Sequence, residues 1–294
     1  MEFGIAKKAK IYTLLEDYAG YNTSFYAQHG ISFLIEIELG RMKKRILFDV
    51  GQSAEPISYN MKLLGVDPKT IDMIFLSHCH YDHTQGLVGI LKEIGKRDIP
   101  IVAHPTIFRN HIRLTPYLKT IGMIEENTKE EIEKYGGKFF LTKAPIPIVN
   151  GLFSTGEIEV REDFEKEAII ERYTVDELGV YEDKMIDDMS LVLKLDRGIV
   201  VISGCSHAGI VSITKKAINL AEEPNVKAII GGFHLIDAGK ERINKTIKRL
   251  TEMNVEKVYA GHCTGLIAEC RFKEVWKDNF EKLHSGKLIE FKEG

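Results

Sequence analysis

The run Leu76-Ser77-His78-Cys79-His80-Tyr81-Asp82-His83-Thr84-Gln85-Gly86-Leu87 constrains this chain more than any other part of it. It places three histidines and one aspartate within residues 78–83, directly after the apolar stretch Met73-Ile74-Phe75-Leu76. Imidazole nitrogens and carboxylates are donors that divalent transition metals take. A strand that ends in four of them is built to hold metal. In an extended chain His78, His80 and Asp82 share period-two spacing while His83 points elsewhere, so the donors can face two neighbouring ions. Beyond them Leu87, Ile90, Leu91 and Ile94 recur at helical spacing, which predicts a helix over residues 84–94. Asp82 then lies near a helix start, where N-capping is its alternative role.

Apolar strand-like runs recur over residues 10–15, 31–39, 45–50, 73–76 and 99–103, and again over 190–195, 199–203, 228–231 and 257–260. Between the late runs, Ile243, Ile247 and Leu250 share one helical face, and Phe272, Val275, Trp276 and Phe280 share another. This order predicts an α/β protein with two sheets sandwiched between helices, formed as one domain over residues 1–294. Residues 106–187 break the pattern: they are charged, carry Pro116, Pro145 and Pro147, and offer no donor cluster. A basic-aromatic helix over 108–117, an acidic helix over 128–135 and a short strand over 138–142 are expected there. The stretch reads as an inserted cap that shapes a substrate pocket, or as a surface elaboration without a catalytic role.

The His-x-His-x-Asp-His pattern ahead of a Gly-Leu helix resembles the metallo-β-lactamase superfamily. Ile46-Leu47-Phe48-Asp49-Val50-Gly51 is similar to that family's early strand-Asp-Gly element. Val200-Val201-Ile202-Ser203-Gly204-Cys205-Ser206-His207 falls where a second buried strand meets the metal. Val258-Tyr259-Ala260-Gly261-His262-Cys263 looks like the late Gly-His element that supplies the last ligand. Four motifs in order over roughly three-quarters of the chain make the resemblance specific. It implies the αβ/βα four-layer sandwich. The strings around Cys205 and His262, with Gly231-Gly232-Phe233-His234-Leu235, resemble more narrowly a pterin-condensing branch, the 7,8-dihydropterin-6-methyl-4-(β-D-ribofuranosyl)aminobenzene-5′-phosphate synthases.

The resemblance also exposes departures. The family's usual Gly-His-Thr ligand lies ahead of a Ser-Leu-Val strand, yet here that segment reads Met185-Ile186-Asp187-Asp188-Met189-Ser190. The usual bridging aspartate of a Gly-Asp pair is replaced by Cys205. His207 then fills the vacancy, so that His78, His80 and His207 hold one metal and Asp82, His83 and His262 the other. Cys205 either bridges as a thiolate or packs nearby; a single occupied site remains the alternative. A thiolate favours zinc or iron over magnesium, with manganese also admissible. Asp49 is expected to orient a ligating histidine or to form a turn. His234 follows two glycines and is read as a phosphate ligand, a proton relay or a helix cap. Thr264 and Gly265 offer donors to an anion, and Arg109, Arg113 and Lys119 either steer a phosphate or form a solvated face. His29, His104, His111 and His284 read as surface or packing residues, and Tyr81 and Cys79 as pocket-lining residues whose side chains alternate away from the metal.

The function that follows is metal-assisted chemistry on a phosphorylated or pterin-like small molecule, with Asp82 and His234 as catalytic candidates. Hydrolysis of an ester bond and condensation with loss of diphosphate both need a Lewis acid at an anionic leaving group. A degenerate, non-catalytic relative or an iron-dependent oxidoreductase is the alternative. The formal charge of −3 gives no argument for a nucleic-acid partner. No segment has the run of about 18 apolar residues of a membrane span. The first ten residues lack a signal-peptide core, and three of four cysteines sit inside histidine motifs, so a reducing, cytoplasmic setting is expected.

Overall fold

The computed structural model describes residues 3–166 and 172–292. Two seven-stranded sheets face one another. The first runs, in spatial order, Leu288–Lys292, Lys8–Leu15, Ser32–Leu39, Met42–Phe48, Met73–Phe75, Ile99–Ala103 and Gly137–Leu141. The second runs Phe280–Lys282, Lys257–Gly261, Val226–Gly232, Gly198–Ile202, Leu191–Leu195, Leu152–Ser154 and Pro147–Val149.

Both faces of these sheets are covered, which is why the sequence shows near-continuous apolar runs rather than strict alternation. Period two still sorts the side chains. Phe33, Ile35 and Ile37 enter the core between the sheets, and Leu34 enters the core beneath the helices Ala54–Leu63 and Leu87–Ile94. In the other sheet Val200 and Ile202 face the central core. Ile199 and Val201 face the helices Ile210–Ala221, Lys240–Glu252 and Leu266–Trp276. Three cores separate four layers, and the expected αβ/βα sandwich is the observed fold.

The strands Met42–Phe48 and Met73–Phe75 run parallel, as do Gly198–Ile202, Val226–Gly232 and Lys257–Gly261. Their carboxyl ends open on one edge, the place where open α/β sheets put their ligands. Every predicted donor motif follows one of these ends.

The stretch 106–187 is not one insertion. Gly137–Leu141 completes the first sheet, and Pro147–Val149 and Leu152–Ser154 complete the second. What remains forms a small third sheet, in order Gly179–Glu182, Tyr173–Asp176, His111–Arg113 and Lys119–Thr120. The helix expected over 108–117 is therefore absent. Ile112 and His111 pair with Tyr173 and Thr174, some sixty residues away, and this remote partner overrides the local helical pattern. The acidic helix is Lys129–Lys134, capped by the Thr128 hydroxyl. Phe280 begins a strand rather than continuing the last helix, and Val275 on that helix is exposed.

A buried carboxylate ties the short helix Asp163–Lys166 to the sandwich. Glu165, from the short helix Asp163–Lys166, accepts the backbone N–H groups of Val211 and Ser212, each at 2.9 Å. These are first-turn donors of Ile210–Ala221, which no local residue caps, and the helix dipole favours an anion there. Replacing Glu165 with Gln turns one accepting oxygen into a donor facing donors. The expected loss is about 2 kcal/mol of unfolding free energy, read as a lowered denaturant midpoint with unchanged slope.

Candidate metal centre

The chain is extended only through His80; Tyr81–Thr84 is already a helical turn. Asp82 and His83 therefore fall in one donor group, which corrects the period-two grouping of Asp82 with His78 and His80. The result is two donor groups. In the first, His78 Nε2 and His207 Nε2 lie 3.0 and 3.1 Å from His80 Nδ1. In the second, His83 Nε2 lies 3.3 Å from Asp82 Oδ2 and 3.1 Å from Cys205 Sγ. His262 Nε2 is 3.3 Å from each of the same two atoms. All seven residues are buried. The structure thus brings together every residue for which a ligand role is expected, in the two groups expected, with Cys205 in the Asp82 group.

Proton counting shows which nitrogen of each ring is free to ligate. The Ser77 hydroxyl donates to Asp49 Oδ2 at 2.7 Å, so it must accept from His78 Nδ1–H at 2.9 Å. His83 Nδ1–H donates to the same carboxylate at 2.6 Å. Asp17 Oδ1 faces His262 Nδ1 at 3.1 Å. Each of these carboxylates leaves an Nε2 lone pair aimed into the cluster, the arrangement that orients metal ligands. Asp49 thus takes the supporting role rather than the turn role, although its φ of 53° also places it in the left-handed region. His207 Nδ1 is buried without a hydrogen-bond partner, while its Nε2 meets the cluster. Three imidazoles in one group, and two imidazoles, a carboxylate and a thiol in the other, are a donor set that suits zinc or iron.

The electrostatics separate the groups. Burial, then mutual repulsion with neighbouring rings, holds His78, His80 and His207 well below the usual imidazole range. At His83 burial also opposes charge, but Asp82 and Asp49 outweigh it and raise the ring to about 9. Burial opposes charge at His262 too, but Cys263, then Asp17 and Asp82, raise it well above the usual imidazole range. Burial pushes the Cys205 thiol up, so a thiolate there needs a cation beside it.

His234 and His262 both have positive φ, 43° and 50°. A left-handed conformation at bulky residues is uncommon and concentrates at functional sites. Arg172 Nη2 donates to His234 Nε2 at 2.9 Å, which leaves the proton on Nδ1; that atom is buried without a partner. The His234 ring is tilted against that of His207, with 4.2 Å between centroids. The donor groups floor a cleft of about 810 Å³, walled by Arg113, Lys119, Arg172, Arg242 and Lys245 and by Asp17, Asp237 and Glu241.

Several readings change. Arg109 does not steer ligand: it is ion-paired at 2.6 Å to Asp187 and also to Asp183. His111 is neither surface nor inert packing; its ring is buried 4.9 Å from that of His80. His29 is at the cleft rim, 3.5 Å from Asp82 Oδ2, whereas Tyr81 lines the cleft as expected. The Thr264 hydroxyl accepts from Phe233 N, a structural bond. Asp17 escaped sequence reasoning because nothing in its surroundings, Glu16-Asp17-Tyr18, marks a distant histidine partner.

The profile of the Metallo-beta-lactamase superfamily matches residues 29–262. A 7,8-dihydropterin-6-methyl-4-(beta-D-ribofuranosyl)-aminobenzene-5′-phosphate synthase of Methanocaldococcus jannaschii is 50% identical over 293 residues, 99% of each chain. A second, uncharacterized protein of that archaeon is 31% identical over 94% of this chain and 98% of its own. Among solved structures, a metal-dependent hydrolase of the β-lactamase superfamily superposes with a TM-score of 0.79 at 25% identity, covering 97% of this chain and all of that one.

The Asp49 carboxylate is fully buried and accepts three bonds, so Asp49→Asn must point an amide at either Ser77 or His83. The expected cost is about 2–4 kcal/mol of unfolding free energy. A denaturation curve that overlays the parent would show that this network does not hold the cluster.

Proposed function

The chain belongs to the metallo-β-lactamase superfamily, and from that premise we propose a metal-dependent synthase that condenses a dihydropterin with a phosphorylated ribofuranosylaminobenzene. The observation that carries this reading is the pairing of two buried donor groups with a cleft wall rich in arginine and lysine. The half-identical, full-length relative named as that synthase supports the substrate class. His78, His80 and His207 would hold one divalent ion and Asp82, His83, Cys205 and His262 a second, zinc or iron being favoured by the thiol.

A bound ion would supply Lewis acidity at an anionic leaving group. The rest is asked of the side chains. The leaving group is a diphosphate on the pterin methylene: its carbon–oxygen bond breaks as the aminobenzene attacks the methylene, and the displaced proton passes to a base. Asp82 is the nearest carboxylate, but His83, His262 and His29 already surround its Oδ2, so ligation is its first role. His234 carries its proton on the buried Nδ1 and accepts from Arg172 at Nε2, so its proposed role is to orient that guanidinium toward the departing oxygens rather than to act as a base. Arg113, Lys119 and Arg172, all from residues 106–187, screen the phosphates; shaping the cleft is the role proposed for this cap.

A hydrolase is the second reading, favoured by the likeness to the solved metal-dependent hydrolase. The two separate in one assay. Metal-loaded protein is given the dihydropterin diphosphate with and without the ribofuranosylaminobenzene phosphate, and diphosphate release is followed. Release that needs the second substrate supports the synthase; equal release without it supports hydrolysis; release in neither overturns both.

Elemental analysis is expected to return two metal equivalents per chain, and His207→Ala to return close to one. Turnover of that variant should fall at least a hundredfold, since it loses a donor and leaves His78 and His80 as an incomplete set. Equal metal content in both proteins would remove His207 from the ligand set.

A further inference from the structure

Of the five candidate ligand rings, His80 is the one that turns Nδ1 rather than Nε2 toward its group. If Nδ1 gives its lone pair to a metal, the proton of His80 must sit on Nε2 and needs an acceptor. Buried in protein, an imidazole N–H without one costs on the order of 1–3 kcal/mol. The atom that faces it is another imidazole nitrogen, His111 Nε2, at 3.4 Å. Two rings placed nitrogen to nitrogen can bond only if one of the pair is unprotonated. His111 must then carry its proton on Nδ1, and that atom meets Asp183 Oδ2 at 2.9 Å.

We propose that His111 and Asp183 form a two-step relay from the third sheet that fixes the tautomer and orientation of His80 for metal binding. This rests on the metal-dependent reading above and names the residues that make the first donor group work. His111 touches no donor group directly as a ligand; it is a positioning residue.

The surroundings favour this direction of the relay. The competitor for His111 Nδ1 is Arg109 Nη2, at 3.1 Å, which would need the opposite tautomer. The carboxylate is nearer, and Arg109 is already engaged: Nη2 also meets Asp183 Oδ1 at 3.2 Å, and Nη1 pairs with Asp187. Burial opposes an ionised Asp183, but His111 and Arg109 hold its carboxyl well below the usual carboxylate range. Asp183 is therefore an acceptor at neutral pH. Met185 N donates to its Oδ1 at 2.7 Å, which fixes the carboxylate as well.

The same docking surface holds the backbone of the histidine motif. Cys79 N donates to Asp187 Oδ2 at 2.8 Å, and Tyr81 N donates to Ile121 O at 3.0 Å. His80 lies between these two anchors, so side chain and backbone are positioned from one side. Three of the other rings lean on the sandwich itself: His78 on Ser77, His83 on Asp49, and His262 on Asp17, which follows Lys8–Leu15. Among the described residues, the ligand ring that the third sheet meets through a ring nitrogen is His80.

The test compares the full-length protein with His111→Leu and His111→Gln by zinc affinity, measured against a chromophoric chelator. Leucine removes the acceptor, and the tighter of two zinc sites, or the site that holds His80, should weaken about 10–100-fold. Glutamine can present its carbonyl to His80 Nε2–H and its NH2 to Asp183, and should recover affinity to within a few-fold of the parent. A nitrogen–proton correlation spectrum of histidine-labelled parent protein with zinc gives the second readout. It should show His80 protonated on Nε2 and His111 on Nδ1. Leucine binding zinc as tightly as the parent, glutamine binding as weakly as leucine, or a spectrum with His111 protonated on Nε2 would each overturn the relay. If His111→Leu does not fold, the spectrum of the parent decides. Failure of the parent to bind zinc, iron or manganese at all would instead sink the metal-dependent reading, and the relay with it.

Discussion

The Asp49 carboxylate is the point on which the architecture of the centre turns. It leaves the end of Met42–Phe48 in the left-handed region and accepts from Ser77 N, from the Ser77 hydroxyl and from His83. Through the hydroxyl it also sets His78. The opposite sheet must come close without touching: a Cβ at Gly204 would overlap the Ser77 hydroxyl and press on Asp49 Oδ2. A buried carboxylate without such partners would cost several kcal/mol, so the network and the ionised state of Asp49 stand together. Two strands of one sheet and a loop of the other are thereby registered at the atoms where the donor groups form.

The two groups are not equivalent, and the difference follows from where carboxylates lie. Among the described residues no carboxylate joins the cluster of His78, His80 and His207, and burial holds those rings well below the usual imidazole range. Asp82 lies within the other group, and Asp49 and Asp17 stand behind it. Negative charge in a dry setting raises the affinity of His83 and His262 for a second proton and gives the same pocket its attraction for a cation, which would take that proton's place at Nε2. Cys205, where the family commonly has an aspartate, lowers the formal negative charge of this group unless its thiol ionises.

The donors were legible because their chemistry is rare and their spacing local. His78, His80, Asp82 and His83 fall in one motif, and Cys205, His207, His234 and His262 each follow a strand recognisable by its apolar run. The helix at Leu87–Ile94 was legible for a similar reason, its buried face being Leu87, Ile90, Leu91 and Ile94. The third sheet was not. Its strand His111–Arg113 exists because Tyr173 and Thr174 lie beside it, and a window of ten residues around Phe108 reads equally well as a helix. His111, Asp183 and Asp17 were missed together, since each acts through a partner between 31 and 245 residues away.

By itself the sequence determined the layer order and the identity of the donors, because apolar periodicity and ligand chemistry are properties of neighbouring residues. Tertiary structure alone decided the rest: that the strand of His111 pairs with Tyr173 and Thr174, and that Asp17, Asp49 and His111 stand behind the ligand rings. Those outcomes depend on distances between strand ends of two sheets, and chain connectivity leaves such distances free until packing sets them.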